Sequence, residues 1–381
     1  MNNWMMIILS ALLCGGCGLA AGEAIATILP ENAGLPHLII LAALILVIFY
    51  MTFLIQTAIH EGGHLVFGRL SGYSFVSYRF ADLMWKRENG RVAFRRFSLT
   101  GTAGQCLMEP PGTVDDDVPF VLYNMGGVIA NAVTAVLFFL AGSLCSEHGL
   151  LWAFWMMLAI HGIQQALMNG LPFITTPINN DAKNTLELRR NRNALRPYLI
   201  QLKVTALASD GVRMKDMPEE WFKLPAPEEM SDALSASVGL MAQNRLMDEH
   251  RFHEAAQLCH ILTEEAKGLL KLHQILLKED LVFLRLLNED PGGINEIRTK
   301  TFMNEIRTVQ NSLSVIRTEF ACALFADDTG RAYKLLKLFE KTAQNYPYTG
   351  EIETERELIR YAQGYRSCMK KEEQKENQET A

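Results

Sequence analysis

The chain has 381 residues, enough for two domains, and its charge is unevenly distributed. Hydrophobic residues make up 49% and charged residues 20%, with no Lys or Arg before Arg69 and none between Val118 and Asn180. From Asp181 onward the sequence is charge-rich, which predicts an integral membrane half followed by a soluble half. The net charge of −6 gives no support for nucleic-acid binding, and seven scattered cysteines argue against a disulfide framework.

Four apolar stretches in the first half are long enough to span a bilayer as helices. They cover residues 4–29, 38–67, 118–145 and 149–167. Between the second and the third, aromatic and β-branched residues flank Asn89-Gly90, which is a strong hairpin signal. We therefore expect an antiparallel β-hairpin over 72–99 at the membrane surface and a loop over 100–119.

Basic residues concentrate in two of the connections between these stretches. Seven lie between 69 and 96 and five between 183 and 196, whereas the connections 30–36 and 146–149 have none. The positive-inside rule then places both termini and the hairpin in the cytoplasm. The expectation is a multi-pass protein of a bacterial cell membrane, with the lipid bilayer as one partner.

The second half shows a helical repeat pattern beyond about residue 208. A helix, turn and helix are predicted over 246–266, with the second helix starting at Phe252, and the theme recurs over 318–347 around a turn at 327–330. This pattern is similar to tetratricopeptide repeats, which bind proteins or peptides. We expect a membrane domain over 1–207, a cytoplasmic repeat domain over 208–369 that binds a protein partner, and a disordered charged tail over 370–381.

The second apolar stretch carries His60-Glu61-Gly62-Gly63-His64, which matches the zinc motif His-Glu-x-x-His. Residues four apart lie on one face of a helix, so both imidazoles can hold one metal ion. A zinc ion held in this way lowers the pKa of its bound water to around 7. The intervening glutamate can take the proton of that water as general base. Burying these groups in a membrane-length apolar helix is costly unless they have a function.

Two further blocks make residues 35–184 resemble the site-2 protease family of intramembrane zinc metalloproteases. The segment 126–131 looks like the family's Gly-Pro-x-x-Asn, with Val128 where proline is usual. Asn169-x-x-Pro172 followed by Asp181 looks like the family's Asn-x-x-Pro-x-x-x-x-Asp-Gly. The aspartate lies four residues later than this pattern predicts, and Ala182 replaces the glycine.

Together, these patterns predict an all-α membrane protein with four transmembrane helices, a small membrane-surface β-hairpin and a soluble helical repeat domain. The resemblance implies a zinc-dependent metalloendopeptidase that hydrolyses peptide bonds of membrane-embedded or membrane-associated substrates, in regulated proteolysis or peptide-precursor processing. The implied residues are the zinc ligands His60, His64 and Asp181, the catalytic base Glu61, and the substrate-positioning residues Asn131 and Asn169.

Three alternatives stand beside this interpretation. In another class of membrane zinc protease a distant glutamate completes the metal site, which Asn169-x-x-Pro172 and the lack of a suitably placed glutamate disfavour. The chain is alternatively an inactive membrane scaffold that binds protein partners through its repeats, although an intact Glu61 argues against that. Asp181 alternatively caps a helix that begins at Ala182, a role that aspartate fills readily.

Overall fold

A computed structural model describes residues 3–379 apart from 89, 98–102, 146, 173–178 and 289–290. Helices make up 72% of the structure, so the chain is mainly α, as the sequence predicts. It divides into two compact units. The first comprises Met1–Lys86 and Val92–Arg192, and the second comprises Arg87–Arg91 and Asn193–Ala381.

Among the described residues, four helices of the first unit are long and apolar enough to cross a membrane, which confirms the predicted spans by length and composition. They are α1 (Asn3–Ile28), α2 (Leu35–Leu70), α3 (Val121–Ser143) and α4 (Leu150–Gly170). The α2 helix has 36 residues and is about 54 Å long, which exceeds the hydrocarbon thickness of about 30 Å. His60 and His64 lie in the last third of this helix.

A four-stranded antiparallel sheet lies between α2 and α3 along the chain. Its strands are β1 (Ser74–Phe80), β2 (Leu83–Glu88), β3 (Arg91–Arg96) and β4 (Gly104–Glu109), in the order β3-β2-β1-β4. The first three strands fall within the predicted hairpin region, and Gly90 adopts a φ of 75° in the turn after β2. Asn89, the other residue of that turn signal, lies outside the described residues.

The loop predicted over 100–119 is wrong in part, because β4 forms within it. This strand pairs with β1 in a register that places Phe75 opposite Met108 and Tyr78 opposite Cys106. Cys106, Leu107 and Met108 are buried there. The strand is stabilised by pairing with a segment some thirty residues earlier, which local sequence patterns do not reveal.

Helices α2 and α3 approach one another at paired glycines. A Cβ on Gly63 would collide with the carbonyl of Gly126, and a Cβ on Gly126 would lie 2.6 Å from the carbonyl oxygen of Gly63. Small residues allow this close helix contact. It brings the face of α2 that carries the two histidines against α3.

The rest of the first unit contains α5 (Asp181–Arg190). The helices of the second unit are α6 (Leu195–Ser209), α7 (Ala233–Asp248), α8 (Phe252–Glu265), α9 (Lys271–Leu287), α10 (Ile294–Ile297), α11 (Lys300–Ile306), α12 (Leu313–Phe325), α13 (Thr329–Ala343) and α14 (Thr349–Glu379). Both predicted helix–turn–helix segments are present, as α7–α8 and α12–α13.

Two predicted boundaries differ from the structure. The second unit starts at Asn193 instead of 208, because α6 packs against α7 and α14. Most of the predicted disordered tail, 370–381, is helical, since α14 continues to Glu379. Its Glu, Lys and Gln residues have favourable helix propensity, so a charged composition does not by itself prevent a helix.

Candidate metal centre

Three potential ligand atoms lie close together near the C-terminal end of α2, the end that the sequence predicts to lie towards the cytoplasm. They belong to His60, His64 and Asp181. Asp181 Oδ2 lies 3.1 Å from His60 Nε2 and 3.4 Å from His64 Nε2, and the two nitrogens are 3.2 Å apart. Both histidines are less than a tenth exposed. These residues form a group able to hold a metal ion.

The hydrogen bonds on the far side of each imidazole define its tautomer. His64 Nδ1 lies 2.8 Å from the backbone carbonyl oxygen of Tyr123, which can only accept, so this nitrogen carries the proton. His60 Nδ1 lies 2.6 Å from Asn131 Oδ1 and carries its proton for the same reason. Each neutral imidazole therefore has its lone pair on Nε2, directed into the group.

The orientation of the Asn131 amide follows from its own partners. Its Nδ2 donates to the backbone oxygen of Gln56 at 3.0 Å and to the Oε1 of Gln56 at 2.7 Å. Gln56 Nε2 in turn donates to the carbonyl oxygen of Leu158 at 2.8 Å. Because this last oxygen only accepts, the series of hydrogen bonds runs in one direction and leaves Asn131 Oδ1 to accept from His60.

When both imidazoles are neutral, the three electron-pair donors have no proton between them and repel one another unless a cation lies among them. Within the described residues, Asp181 Oδ2 is buried and makes no hydrogen bond. Tetrahedral zinc with bonds of 2.0–2.1 Å to nitrogen and oxygen places its ligand atoms about 3.3 Å apart. The three separations, 3.1, 3.2 and 3.4 Å, fit that spacing. The donor set of two imidazoles and one carboxylate suits a zinc site with one position open.

Asp181 is the first residue of α5, and the helix cap is its neighbour. The side chain of Asn180 accepts from Lys183 N at 3.0 Å, which is the N-cap hydrogen bond. Asn180 Nδ2 also donates to the carbonyl oxygens of Met168 and Leu171 at 2.7 and 2.6 Å. The capping alternative for Asp181 is therefore wrong, and Asn180 ties the start of α5 to the end of α4.

The charge of Asp181 is consistent with a ligand role. Burial disfavours its ionised form, but in the metal-free chain the positive charge of protonated His64 and His60 beside the carboxylate outweighs that effect. The pKa of Asp181 is accordingly held below its ordinary value. The carboxylate stays ionised at neutral pH, as a metal ligand must.

Glu61 lies beside the three ligand residues and interacts electrostatically with all of them and with Arg79. It is less than a tenth exposed. A Cβ on Gly104, the first residue of β4, would come 2.5 Å from Glu61 Oε1. Any larger residue at this position would require the Glu61 side chain to move. Arg79 Nη2 donates to the carbonyl oxygen of the same glycine at 3.4 Å.

Two predicted substrate residues occupy different surroundings. Asn131 is fully buried and its amide bonds to His60 and Gln56, so its role in positioning a substrate stays a prediction. Asn169 is half-buried, and its Nδ2 donates to the carbonyl oxygen of Gln165 on its own helix at 3.2 Å. The structure does not bring it into the ligand group.

No protein-family model, no curated protein and no solved structure matches this chain. The chemistry of the centre therefore rests on its residues alone. Three of its supporting residues, Gln56, Asn180 and Gly104, were not predicted from the sequence. Gln56 carried a usable signal, since it lies four residues before His60 and thus on the same face of an apolar helix. Asn180 and Gly104 depend on chain packing that no local pattern encodes.

Proposed function

We propose that this chain is a zinc-dependent endopeptidase that hydrolyses peptide bonds of membrane-embedded or membrane-associated substrates, as its resemblance to site-2 proteases implies. One observation carries the proposal. Three buried electron-pair donors converge within 3.4 Å of one another, next to Glu61, on a helix long and apolar enough to cross a membrane. The resemblance predicts this set of residues, and the arrangement supports it.

Each residue of the centre has a task in such a reaction. His60, His64 and Asp181 hold the metal, while Asn131 and the carbonyl of Tyr123 fix the orientation of the two imidazoles. A zinc ion, when bound, supplies Lewis acidity and activates a water near neutral pH.

Glu61 would accept a proton from the attacking water and deliver it to the departing amine nitrogen. The water oxygen adds to the carbonyl carbon and the C–N bond breaks. One water proton reaches the amine nitrogen through Glu61, and the other stays on the new carboxylic acid group until that group ionises. Low exposure of the site strengthens these electrostatic interactions, because little water screens them. The β4 strand, which passes over Glu61 at Gly104, contributes to that exclusion.

The scaffold alternative predicts a protein without hydrolytic activity. Several features of the centre disfavour it. A relict metal site has no need of a buried glutamate, nor of the hydrogen bonds from His60 to Asn131 and on to Gln56. Such supporting contacts tune the orientation and basicity of a metal ligand.

The experiment that tests the proposal compares membrane proteomes of cells producing the unchanged chain, Glu61→Gln or Glu23→Gln. Glu23 is a matched control, since it also lies in an apolar helix but pairs with His148. We expect new peptide termini within or next to apolar segments with the unchanged chain and with Glu23→Gln, and none with Glu61→Gln. Identical termini in all three would show that the centre does not cleave proteins.

A further inference from the structure

A second internal site lies wholly within the second unit. It is a cavity of about 150 Å³, with room for several water molecules. Residues of α6, α7, α9, α12 and α14 line it. Its apolar walls are Ala208, Val212, Met214, Leu240, Met247, Leu276 and Leu358. A cavity of this size and lining matches an aliphatic group of a few carbons.

Charged side chains line the same cavity, and one of them is Arg317. This residue is 1% exposed. Its Nη2 donates to Asp280 Oδ1 at 2.5 Å, and its Nε donates to Glu355 Oε2 at 2.9 Å. Glu351 also lines the cavity and accepts from the hydroxyl of Tyr346 at 2.7 Å. One guanidinium and three carboxyl groups other than that of Asp248 thus line the same cavity, and the guanidinium contacts two of the three.

The fourth acidic residue of the lining, Asp248, is satisfied elsewhere. It pairs with Arg213 and accepts from Thr354 Oγ1 at 3.0 Å and from Lys215 N at 3.1 Å. It therefore does not share Arg317. The remaining three carboxyl groups exceed the positive charge that the lining supplies, and buried excess charge is costly unless a cation or protons offset it.

The pKa values of these three carboxyl groups are raised. Burial raises the pKa of Glu351 to about 7, against the hydrogen bond from Tyr346. Burial also raises the pKa values of Asp280 and Glu355, against the charge of Arg317. The ionised form of each carboxyl group is therefore disfavoured unless a further positive charge lies nearby.

Arg317 itself lacks one partner. Within the described residues its Nη1 is buried and makes no hydrogen bond, although its Nε and Nη2 are both used. A buried guanidinium nitrogen without an acceptor costs free energy. The cavity thus favours a ligand that carries a positive charge, an acceptor oxygen and an apolar group.

We propose that this cavity binds an α-ammonium group with its neighbouring carbonyl or carboxylate oxygen and an aliphatic side chain. The ammonium pairs with Glu351, Glu355 and Asp280, the oxygen accepts from Arg317 Nη1, and the side chain contacts the apolar walls. A free aliphatic amino acid and the first residue of a peptide both present this chemistry. The inference does not depend on the proposed metal chemistry.

Isothermal titration calorimetry on the full chain in detergent tests the proposal. The probes are L-leucine, L-leucinamide, leucyl-glycine and N-acetyl-L-leucine, which lacks the ammonium. We expect saturable binding of at least one of the first three and none of the acetylated compound. Binding of leucinamide and leucyl-glycine without leucine identifies a peptide amino terminus as the source, whereas binding of leucine alone identifies a free amino acid.

Variants place that binding in the cavity. Glu351→Gln keeps an acceptor for Tyr346 but removes a charge, so it should weaken binding at least about tenfold. Glu249→Gln, a matched change outside the lining, should not. Asp181→Ala should not either, which separates this site from amine binding at a metal.

The proposal is overturned if none of the three amines binds, if N-acetyl-L-leucine binds as tightly, or if Glu351→Gln leaves affinity unchanged. The probe comparison uses the unchanged chain and so holds even where a variant fails to fold.

Discussion

The two units bury charge in different ways. In the second unit, the chain supplies a cation of its own, since Arg317 lies between Asp280 and Glu355. In the first, His60, His64 and Asp181 direct three lone pairs at one point, and no chain donor lies between them among the described residues. An unbalanced charge focused on one point suits a metal ion, whereas an imbalance spread over the wall of a cavity suits an organic ammonium.

The largest effect is expected from Glu61→Gln. The amide packs as the carboxylate does but cannot accept a proton from water, and loss of a general base typically costs 10²–10⁴-fold in rate. Zinc content should be unchanged, because Glu61 is not a ligand. The cleavage rate and the zinc content can be measured on one preparation, with Glu23→Gln as control. Undiminished cleavage by Glu61→Gln would refute the proposed mechanism.

Asn131→Ala should weaken metal binding about 10–100-fold, because it leaves His60 Nδ1 without its acceptor and frees the imidazole to turn. Asn169→Ala is the matched control, since that side chain bonds within its own helix. A competition titration with a zinc chelator measures both. Equal zinc affinities for the two variants would show that Asn131 does not support the metal site.

Two adjacent glycines of α2 should respond in opposite ways to alanine. Gly63→Ala forces α2 and α3 apart and should cost about 1–3 kcal/mol as overpacking, with loss of zinc. A Cβ on Gly62 would have nothing within 4 Å of it, so Gly62→Ala should be neutral or up to about 1 kcal/mol stabilising. Thermal unfolding and zinc content check both, and similar behaviour of the two variants would contradict the described helix contact.

A several-fold pH effect is expected in the second unit. Ammonium binding needs ionised carboxyl groups, and the pKa of Glu351 is raised to about 7. Affinity for leucinamide should therefore rise between pH 5.5 and 7.5. The facing charged and titratable groups are Asp248, Asp280, Glu355, Arg317 and Tyr346.

The stability of the ligand-free chain should change with pH in the opposite direction. A raised pKa gives stability that is present below the unfolded value and lost as pH rises through about 7. Glu351→Gln should flatten both profiles, and unchanged profiles would contradict this assignment.

The smallest effect on the metal is expected from deleting residues after Asp210. All three ligand residues belong to the first unit, so zinc content should not change, while substrate choice or regulation should. Zinc analysis of the truncated and the full chain, purified in parallel, checks this. Loss of zinc would mean that a ligand lies in the deleted part.

The elements with strong periodic or compositional signals were predictable. Four apolar stretches gave α1 to α4, and the spacing of His60 and His64 placed both on one helix face. The sequence predicted a hairpin but not the strand β4, because β4 depends on pairing with β1, which is distant in sequence. Its first residue, Gly104, contacts Glu61 for the same reason.

The placement of Asp181 could be predicted only through the resemblance, since its spacing departs from the family pattern. Residues 173–178, which lie between Pro172 and Asp181 in the chain, are outside the described residues. What brings Asp181 to the histidines is Asn180, which bonds to the end of α4. That contact joins the start of α5 to the end of α4, and a single sequence gives no sign of it.

Zinc content of the purified chain and two Asp181 variants tests the central claim most directly. We expect one zinc ion per unchanged chain, with two imidazole nitrogens and a carboxylate oxygen in its X-ray absorption spectrum. Asp181→Ala should lose most of the metal, and Asp181→Asn, which keeps an oxygen without the charge, should retain more. Full zinc occupancy in Asp181→Ala, or no zinc in the unchanged chain, would contradict the account.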